Sequence, residues 1–289
     1  MVSRTQEGFH VTIILLGLIF LGVAGFAGYK VISNQPNNQK INTVTDTSAQ
    51  SDTTQKDVSQ AKIGAEAGWP SKTAKYIVAV PVDLTQIQNI SKYRSCSGHD
   101  LSGYSFERIL ETDRSMKHYL YPVPAYQATI DKIKMFAPFD GTVSNITLES
   151  EEIGQPGKRP QTGNSITFST PVDKYAAFQF AHIYFVKDFK VGDKVKSGEL
   201  IGYAAVSQKI NGFDIVLTGT VWTEDKQPII GSIFDHMSDK VLAEFASYGV
   251  TPANTKFSKE YRDVRPCNFG TAAAAQGWID ENWVILKIQ

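Results

Sequence analysis

Hydrophobic and polar residues follow three different patterns along the 289 residues of the chain. Residues 9–31 begin with FHVTIILLGLIFLGVAGFAGY, a largely apolar run without Asp, Glu, Lys or Arg. Residues 32–66 are rich in Asn, Gln, Ser, Thr and Asp and contain no aromatic residue. From residue 67 onward, short apolar stretches alternate with turn-forming residues. The pattern predicts a membrane helix, a polar linker and a globular domain.

The apolar run has the length of a transmembrane helix. At about 1.5 Å per residue it spans roughly 30 Å, the thickness of the hydrocarbon core of a bilayer. We therefore predict a cytoplasmic segment 1–8, a transmembrane helix over 9–31 and an extracytoplasmic remainder at the cell membrane. An alternative is a signal peptide cleaved after Ala27, because Gly25 and Ala27 are small residues next to that bond. The run is longer than a usual signal-peptide core, which favours a retained anchor.

The polar segment 32–66 is predicted to be a disordered linker. Its side chains cannot bury enough apolar surface to offset the entropy that the chain would lose on ordering. A random coil of this length has a reach on the order of 30 Å. The linker would therefore separate a membrane anchor from a domain that works near the membrane surface.

The region 67–289 is predicted to be an extracytoplasmic, mainly β domain with a few short helices. TAKYIVAVPVDL, SITFST, YAAFQFAHIYFV and FDIVLTGTVW are rich in β-branched and aromatic residues, as strands are. The Asp140-Gly141 pair predicts a hairpin turn. The closing stretch WIDENWVILKIQ predicts a final strand.

Helix signals are fewer. Ser238 is a good N-cap and Gly249 a good stop signal for a helix between them. Val241 and Phe245 fall on one face of that helix. The stretch FERILETDRSMKHYL, residues 106–120, suggests a second short helix.

Charge and cysteine content argue against two classes of protein, nucleic-acid-binding proteins and zinc ribbons. Lys+Arg and Asp+Glu both number 29, so there is no net positive charge of the kind that nucleic-acid-binding proteins carry. Cys96 and Cys267 are too few and too far apart for a zinc ribbon. In an exported domain they could form a disulfide, and the alternative is two separate buried thiols.

Three segments carry a family resemblance: APFDGTVSNI, AHIYFVKDFKVGDKVKSGELIGYA and GFDIVLTG. Together they are similar to the core of lysostaphin-type (LytM-like) zinc peptidases, which cut peptidoglycan cross-bridges. The resemblance implies a barrel-sandwich fold of the duplicated hybrid motif kind, with its core in residues 130–220. A likeness of this kind concerns fold and says little about activity.

The resemblance also implies where metal ligands should lie: in an H-x-x-x-D motif, a later His and an H-x-H motif. His182 matches the later His. His118 lies near the first motif, but Pro122 stands where Asp is required. The H-x-H position reads Phe213-Asp214-Ile215. Because a zinc hydrolase needs three protein ligands, we predict no catalytic residue and no cofactor.

A rearranged zinc site is the alternative that the sequence leaves open. Its ligands would come from four weak candidates, namely His99, Asp100, His118 and His182. A lone histidine is more often a hydrogen-bonded structural residue than a ligand, so no metal site is expected.

The segment 94–122 is dense in polar and aromatic residues. Two hypotheses compete for it: a polar groove lined by its side chains, or an ordered loop whose charges pair with one another. The second is favoured. Arg262 and Asp263, close to Cys267, would support this loop if the disulfide forms. The groove hypothesis involves seven residues, namely Gly98, His99, Asp100, Gly103, Arg114, Lys117 and His118.

The leading functional hypothesis is a membrane-anchored, non-catalytic, peptidase-like domain. Its partners would be membrane lipid, through residues 9–31, and peptidoglycan or an envelope protein, with no nucleic acid. One alternative is a zinc-dependent peptidoglycan hydrolase with rearranged ligands. Another is a pilin-like subunit, because QEGFHVTIILL resembles the start of type IV pilins, with Gly8 before Phe9. Ile13 departs from that family, which usually has Glu there.

Overall fold

The computed structural model describes residues 68–148, 163–206, 212–270, 277 and 279–287. The predicted membrane helix 9–31, the predicted linker 32–66 and the pilin-like start therefore lie outside the described residues. Within the described ranges, no helix has the length and apolar character needed to cross a membrane.

The described part of the chain is mainly β with few helices, as the sequence predicts. Thirteen strands form one open sheet, and their path runs β13-β1-β4-β11-β8-β7-β6-β9. β10 pairs with β8 and β5. β12 pairs with β11 and β2, and β2 pairs in turn with β3. All pairs are antiparallel except β2 with β12. The strands are β1 Ile87–Ser91, β2 Gly103–Ser105, β3 Leu110–Glu111, β4 His118–Pro122, β5 Lys134–Phe136, β6 Gly141–Thr147, β7 Asn164–Ser169, β8 Ala176–Phe185, β9 Lys194–Val195, β10 Leu200–Ala204, β11 Phe213–Gly219, β12 Ile229–Gly231 and β13 Trp283–Ile285.

The main core lies on one face of this sheet, and β11 shows how the sequence places it there. Phe213, Ile215 and Leu217 point into the main core. Side chains alternate across a strand, so Asp214 and Val216 lie on the opposite face. Both are nonetheless buried. The alternation therefore places one buried carboxylate outside the main core, at the centre of the sheet.

The helix signal of Ser238 is confirmed. Helix α1 spans Asp239–Ser247, and the Ser238 side chain accepts a hydrogen bond from the backbone N–H of Val241. Gly249 has a φ of +79°, which ends the helix in the left-handed region that glycine adopts readily. Phe245 packs into the main core. The short helix α2, Lys259–Asp263, was not predicted.

The predicted helix over residues 106–120 is wrong. This stretch contains β3 and the start of β4. Arg108 and Asp113 have φ values of +67° and +57°, which a right-handed helix cannot accommodate. Leu110 instead pairs with Tyr104 of β2.

The predicted hairpin at Asp140-Gly141 is also wrong. β5 pairs with β10, whereas β6 pairs with β7 and β9. The Asp140 carboxylate accepts hydrogen bonds from the backbone N–H of Ser197 at 2.8 Å and from Lys196 Nζ at 3.0 Å. These bonds connect the turn to the loop before β10. β5 and β6, on either side of the turn, pair with different strands.

Candidate functional site

The buried carboxylate of Asp214 lies in a small polar cluster on the face of the sheet away from the main core. Tyr119 of β4 lies directly opposite Asp214 of β11. Lys117 precedes Tyr119 by two residues, and this spacing brings both side chains to the same face. Two neighbouring strands thus place a cation, an anion and a phenol side by side.

Lys117 and Asp214 form a buried ion pair. Lys117 Nζ donates a hydrogen bond to Asp214 Oδ2 at 2.9 Å, and the two side chains are only 7% and 3% exposed. Burial lowers the pKa of Lys117, but the charge of Asp214, the nearby Tyr119 and the hydrogen bonds to both together raise it overall. Lys117 therefore stays protonated and remains the partner of Asp214. Its ammonium also lies 4.6 Å from the centre of the Tyr119 ring, a cation–π distance.

Two histidines border this pair. His99 Nδ1 lies 2.8 Å from the carbonyl oxygen of Asp100, so Nδ1 carries the proton and donates it. His99 Nε2 is then an acceptor, and Lys117 Nζ donates to it at 3.0 Å. His182 Nε2 lies 3.8 Å from Asp214 Oδ2, and its ring is 26% exposed.

Backbone geometry explains why these residues meet. His182 has a φ of +60°, and the register of β7 against β8 shifts beside it. The left-handed backbone turns the ring toward Asp214. Gly98 packs on Tyr119 so closely that a Cβ there would lie 2.0 Å from the ring. Gly98 thereby lets the loop bring His99 onto Lys117.

The four metal-ligand candidates do not share one place. His99 and His182 border the ion pair. The Asp100 carboxylate is exposed and accepts a hydrogen bond from Ser102 Oγ. His118 points to the opposite face of the sheet, because it pairs directly with the core residue Ile215. Within the described ranges, no group of three or more His, Cys, Asp or Glu residues is arranged to hold a metal ion.

Zinc does not fit the residues that are present. The Lys117 ammonium already occupies one oxygen of Asp214 and the free ring nitrogen of His99. A metal ion bound to these atoms would lie next to a fixed positive charge, which is unfavourable at low local dielectric. A closed or catalytic zinc site also needs at least three protein ligands.

The alternation of β11 separates the two end residues of the H-x-H position from its middle residue, Asp214. Phe213 and Ile215 are buried in the main core, whereas Asp214 and Val216 share the face of Lys117 and His182. Val216 packs in a small apolar cluster and has no ligand atom. The alternation of β11 carried this information, but the motif match alone did not use it. Lys117 as the partner of Asp214 was not predicted.

Charges elsewhere in segment 94–122 pair with one another. Glu111 is buried between two arginines, with Arg94 at 2.7 Å and Arg114 at 2.8 Å. Arg114 also pairs with Asp263 at 2.6 Å. The Cys96–Cys267 disulfide is present, with an S–S distance of 2.00 Å. These contacts agree with the hypothesis of an ordered loop whose charges pair with one another. Lys117 and His99 belong to the same segment.

His118 makes stability depend on pH. Its Nδ1–H donates to the Ser91 carbonyl at 2.8 Å, and its Nε2 accepts from Ser232 Oγ at 3.3 Å. Burial lowers the pKa of His118 to about 4. Because the unfolded chain takes up the proton near pH 6.5, stability is full above that pH and falls as the pH drops toward 4. We expect a loss of about 3 kcal/mol from this residue over that window.

Urea unfolding at several pH values tests this expectation. His118→Gln should flatten the loss of stability between pH 6.5 and 4, whereas His99→Gln, at an exposed histidine, should not. Burial also lowers the pKa of His236, so part of the acid sensitivity should persist in the His118 variant. An unchanged slope in His118→Gln would contradict the assignment.

Comparisons with known proteins give a fold likeness only. No protein-family model matches the sequence, and no curated protein matches it significantly. The solved structures with a similar fold are peptidase-like domains of the lysostaphin and LytM type and the SpoIIQ–SpoIIIAH complex.

Three of these structures show the extent of the likeness. A chain of the SpoIIQ–SpoIIIAH pore-forming complex is 15% identical at a TM-score of 0.35, over 57% of this chain and 93% of that one. The catalytic domain of lysostaphin from Staphylococcus simulans is 15% identical at 0.28, over 45% and 84%. A zinc-containing peptidase from Vibrio cholerae is 12% identical at 0.33, over 57% and 41%.

Proposed function

We propose that residues 67–289 form a non-catalytic, peptidase-like binding domain on a duplicated-hybrid-motif scaffold. Residues 9–31 would hold it at the cell membrane, with the domain outside the cytoplasm and residues 32–66 as its tether. Its partner would be an envelope protein or peptidoglycan, bound at the face of the sheet around Lys117 and Asp214.

One observation carries this proposal: the ammonium of Lys117 is hydrogen-bonded both to Asp214 and to His99, two side chains whose atoms could otherwise bind a metal. Hydrolysis at a zinc centre depends on a bound water whose pKa the metal lowers. Here Asp214 and His99 are engaged by Lys117 instead. Lys117 and Asp214 are buried and paired with each other, so a partner would contact the exposed side chains beside them.

The surface beside the ion pair has the chemistry of a binding site. Tyr119 is half-buried and His99 is exposed. Tyr121 lies edge-on to Trp283 at 5.1 Å between ring centres. Aromatic side chains with a polar end are enriched at protein and ligand interfaces, because they bury area at little entropic cost. This surface is the region where we expect the partner to bind.

Metal content tests the non-catalytic part of the proposal. The full chain, purified in detergent, is incubated with equimolar zinc and desalted, and its zinc is measured by mass spectrometry. We expect far less than one zinc per chain. Lys117→Ala is the informative variant, because it frees Asp214 and His99, and it should retain more zinc than the wild type. One zinc per wild-type chain would contradict the proposal and favour the rearranged hydrolase.

Two capture experiments test the binding part of the proposal. The same protein is sedimented with purified peptidoglycan, and in parallel a photo-crosslinker at position 99 reports protein partners in intact cells. His99→Ala should weaken the captured interaction by about 10-fold. Trp222→Ala, an exposed aromatic residue at the other end of β11, is the control and should change nothing. Failure of both capture experiments would contradict a binding role for this face.

A further inference from the structure

The Cys96–Cys267 disulfide has a buried positive charge beside one of its sulfurs. Arg262 of α2 is only 1% exposed, and its Nη1 donates to Cys96 Sγ at 2.9 Å. The rings of Phe257 and Tyr261 lie 4.7 and 5.7 Å from the guanidinium carbon. The arginine is therefore held against the sulfur inside an apolar and aromatic shell.

The other hydrogen bonds of Arg262 go to neutral acceptors. Its Nε donates to the carbonyl of Arg94 at 2.7 Å, and Nη1 also donates to the carbonyl of Arg265 at 3.0 Å. Nη2 reaches Asn282 Oδ1 at 3.5 Å. In the part of the chain that the structure describes, no carboxylate lies within ion-pair distance of Arg262. Burial lowers the pKa of Arg262, and Glu281 raises it by less from beyond ion-pair distance, so the pKa is lowered overall. A buried charge without a direct ion-pair partner costs free energy.

Opening the disulfide would supply an anion in direct contact with the guanidinium. A thiolate at Cys96 would lie at hydrogen-bond distance from the guanidinium. An adjacent arginine favours the thiolate over the thiol. In thiol–disulfide exchange, a sulfur that is stable as a thiolate is also the better leaving group.

Both cysteines are buried, Cys96 more completely. Cys267 is 7% exposed and Cys96 is 2% exposed, so Cys267 is the less covered of the two residues. Attack on Cys267 makes Cys96 the leaving sulfur, and Cys96 is the one that touches Arg262. Access and charge therefore favour the same direction of reaction.

We propose that Cys96–Cys267 is a thiol–disulfide exchange site, at which a dithiol reductant attacks Cys267 and Cys96 leaves as a thiolate paired with Arg262. The S–S bond breaks, and its electron pair stays on Cys96 Sγ. The second thiol of the reductant then attacks the mixed disulfide and releases Cys267, which takes up one of the two dithiol protons, and the other proton goes to solvent. The reductant leaves as its own disulfide, so two electrons pass to the protein.

The pairing also helps to keep Cys96 in place when the disulfide is reduced. Cys96 stays in place through Arg262 and through its backbone N–H, which donates to Asn282 Oδ1 at 2.9 Å. The loop that carries His99 to Lys117 is therefore retained. Cys267 keeps its own backbone bond, from its N–H to the Asp113 carbonyl at 2.9 Å. This inference does not depend on the proposed binding function.

Thiolate absorbance at 240 nm tests the inference without requiring access to the sulfur. In the full-length Cys267→Ser variant, Cys96 should titrate at least about one pH unit below the ordinary value near 8.5. In the Cys96→Ser variant, Cys267 should not. Adding Arg262→Gln to Cys267→Ser should move the midpoint of Cys96 up by at least about one pH unit, and Arg262→Lys should restore part of it.

A second measurement follows the exchange itself. The wild-type chain is equilibrated with mixtures of reduced and oxidised dithiothreitol, and free thiols are counted by alkylation and mass spectrometry. Arg262→Gln should shift the equilibrium at least about 10-fold toward the disulfide. Arg265→Gln is the control, because it removes a neighbouring guanidinium that lies over the Tyr261 ring at 4.4 Å. A midpoint of Cys96 at or above the ordinary value would overturn the proposal, even if the arginine variants do not fold.

Discussion

Replacing Lys117 by methionine is expected to lower the free energy of unfolding by about 3–5 kcal/mol. Methionine fills a similar volume but leaves the Asp214 carboxylate buried without its cation. His182 Nε2 is 3.8 Å from Asp214 Oδ2, which is beyond a normal hydrogen bond. Asp214 must then either stay charged at low dielectric or take up a proton, and both cost free energy. Urea unfolding of the full chain in detergent measures the loss.

The double variant is the control for this prediction. Lys117→Met with Asp214→Asn removes both charges and should recover most of the stability, because replacing a whole buried pair is often close to neutral. Asp214→Asn alone should be nearly as damaging as Lys117→Met, since the ammonium then loses its carboxylate. A loss of less than about 1 kcal/mol in the free energy of unfolding of the single variants would mean that the pair is solvated. Lys117 would then be a weaker obstacle to metal binding.

Removing the disulfide is expected to cost about 5 kcal/mol. Cys96 and Cys267 are 171 residues apart in the sequence, so their bond restricts the unfolded chain strongly. The chain-entropy relation for a loop of this length gives about 5 kcal/mol at 25 °C. The double variant Cys96→Ser/Cys267→Ser should therefore unfold at a much lower urea concentration than the oxidised wild type.

The reduced wild type is the matched comparison for that variant. If loop closure accounts for the stabilisation, reduction should cost nearly as much as the double substitution. The Arg262–thiolate pair should make the reduced wild type somewhat more stable than the serine variant. A loss below about 2 kcal/mol in both proteins would mean that the ends of the loop are held together by packing instead.

Local signals in the sequence were reliable where one element decides its own structure. The β-branched and aromatic composition of β8 and β11 identified both strands, and Ser238 identified the start of α1. The helix prediction failed at residues 106–120. Their composition suits a helix, but Arg108 and Asp113 have left-handed backbone conformations. The hairpin prediction failed at Asp140, whose side chain bonds to the loop before β10 rather than closing a hairpin.

The candidate site also has features that the sequence predicted and features that it did not. His182 was singled out from a motif, and the absence of an adequate ligand set was predicted from Pro122 and the H-x-H position. The pairing of Lys117 with Asp214 was not predicted, because 97 residues separate them. Their contact depends on β4 lying beside β11 in one particular register. A shift of one residue would turn Asp214 toward the core and remove the ion pair.

The sequence by itself determined the mainly β character of the described domain and the cap of α1. These features depend on residues a few positions apart, where side-chain period and capping act directly. Only the tertiary structure decided that Cys96 bonds Cys267, that Arg262 lies against that bond and that Lys117 neutralises Asp214. Such contacts join distant segments, and strand order and register, which are properties of the whole sheet, bring those segments together.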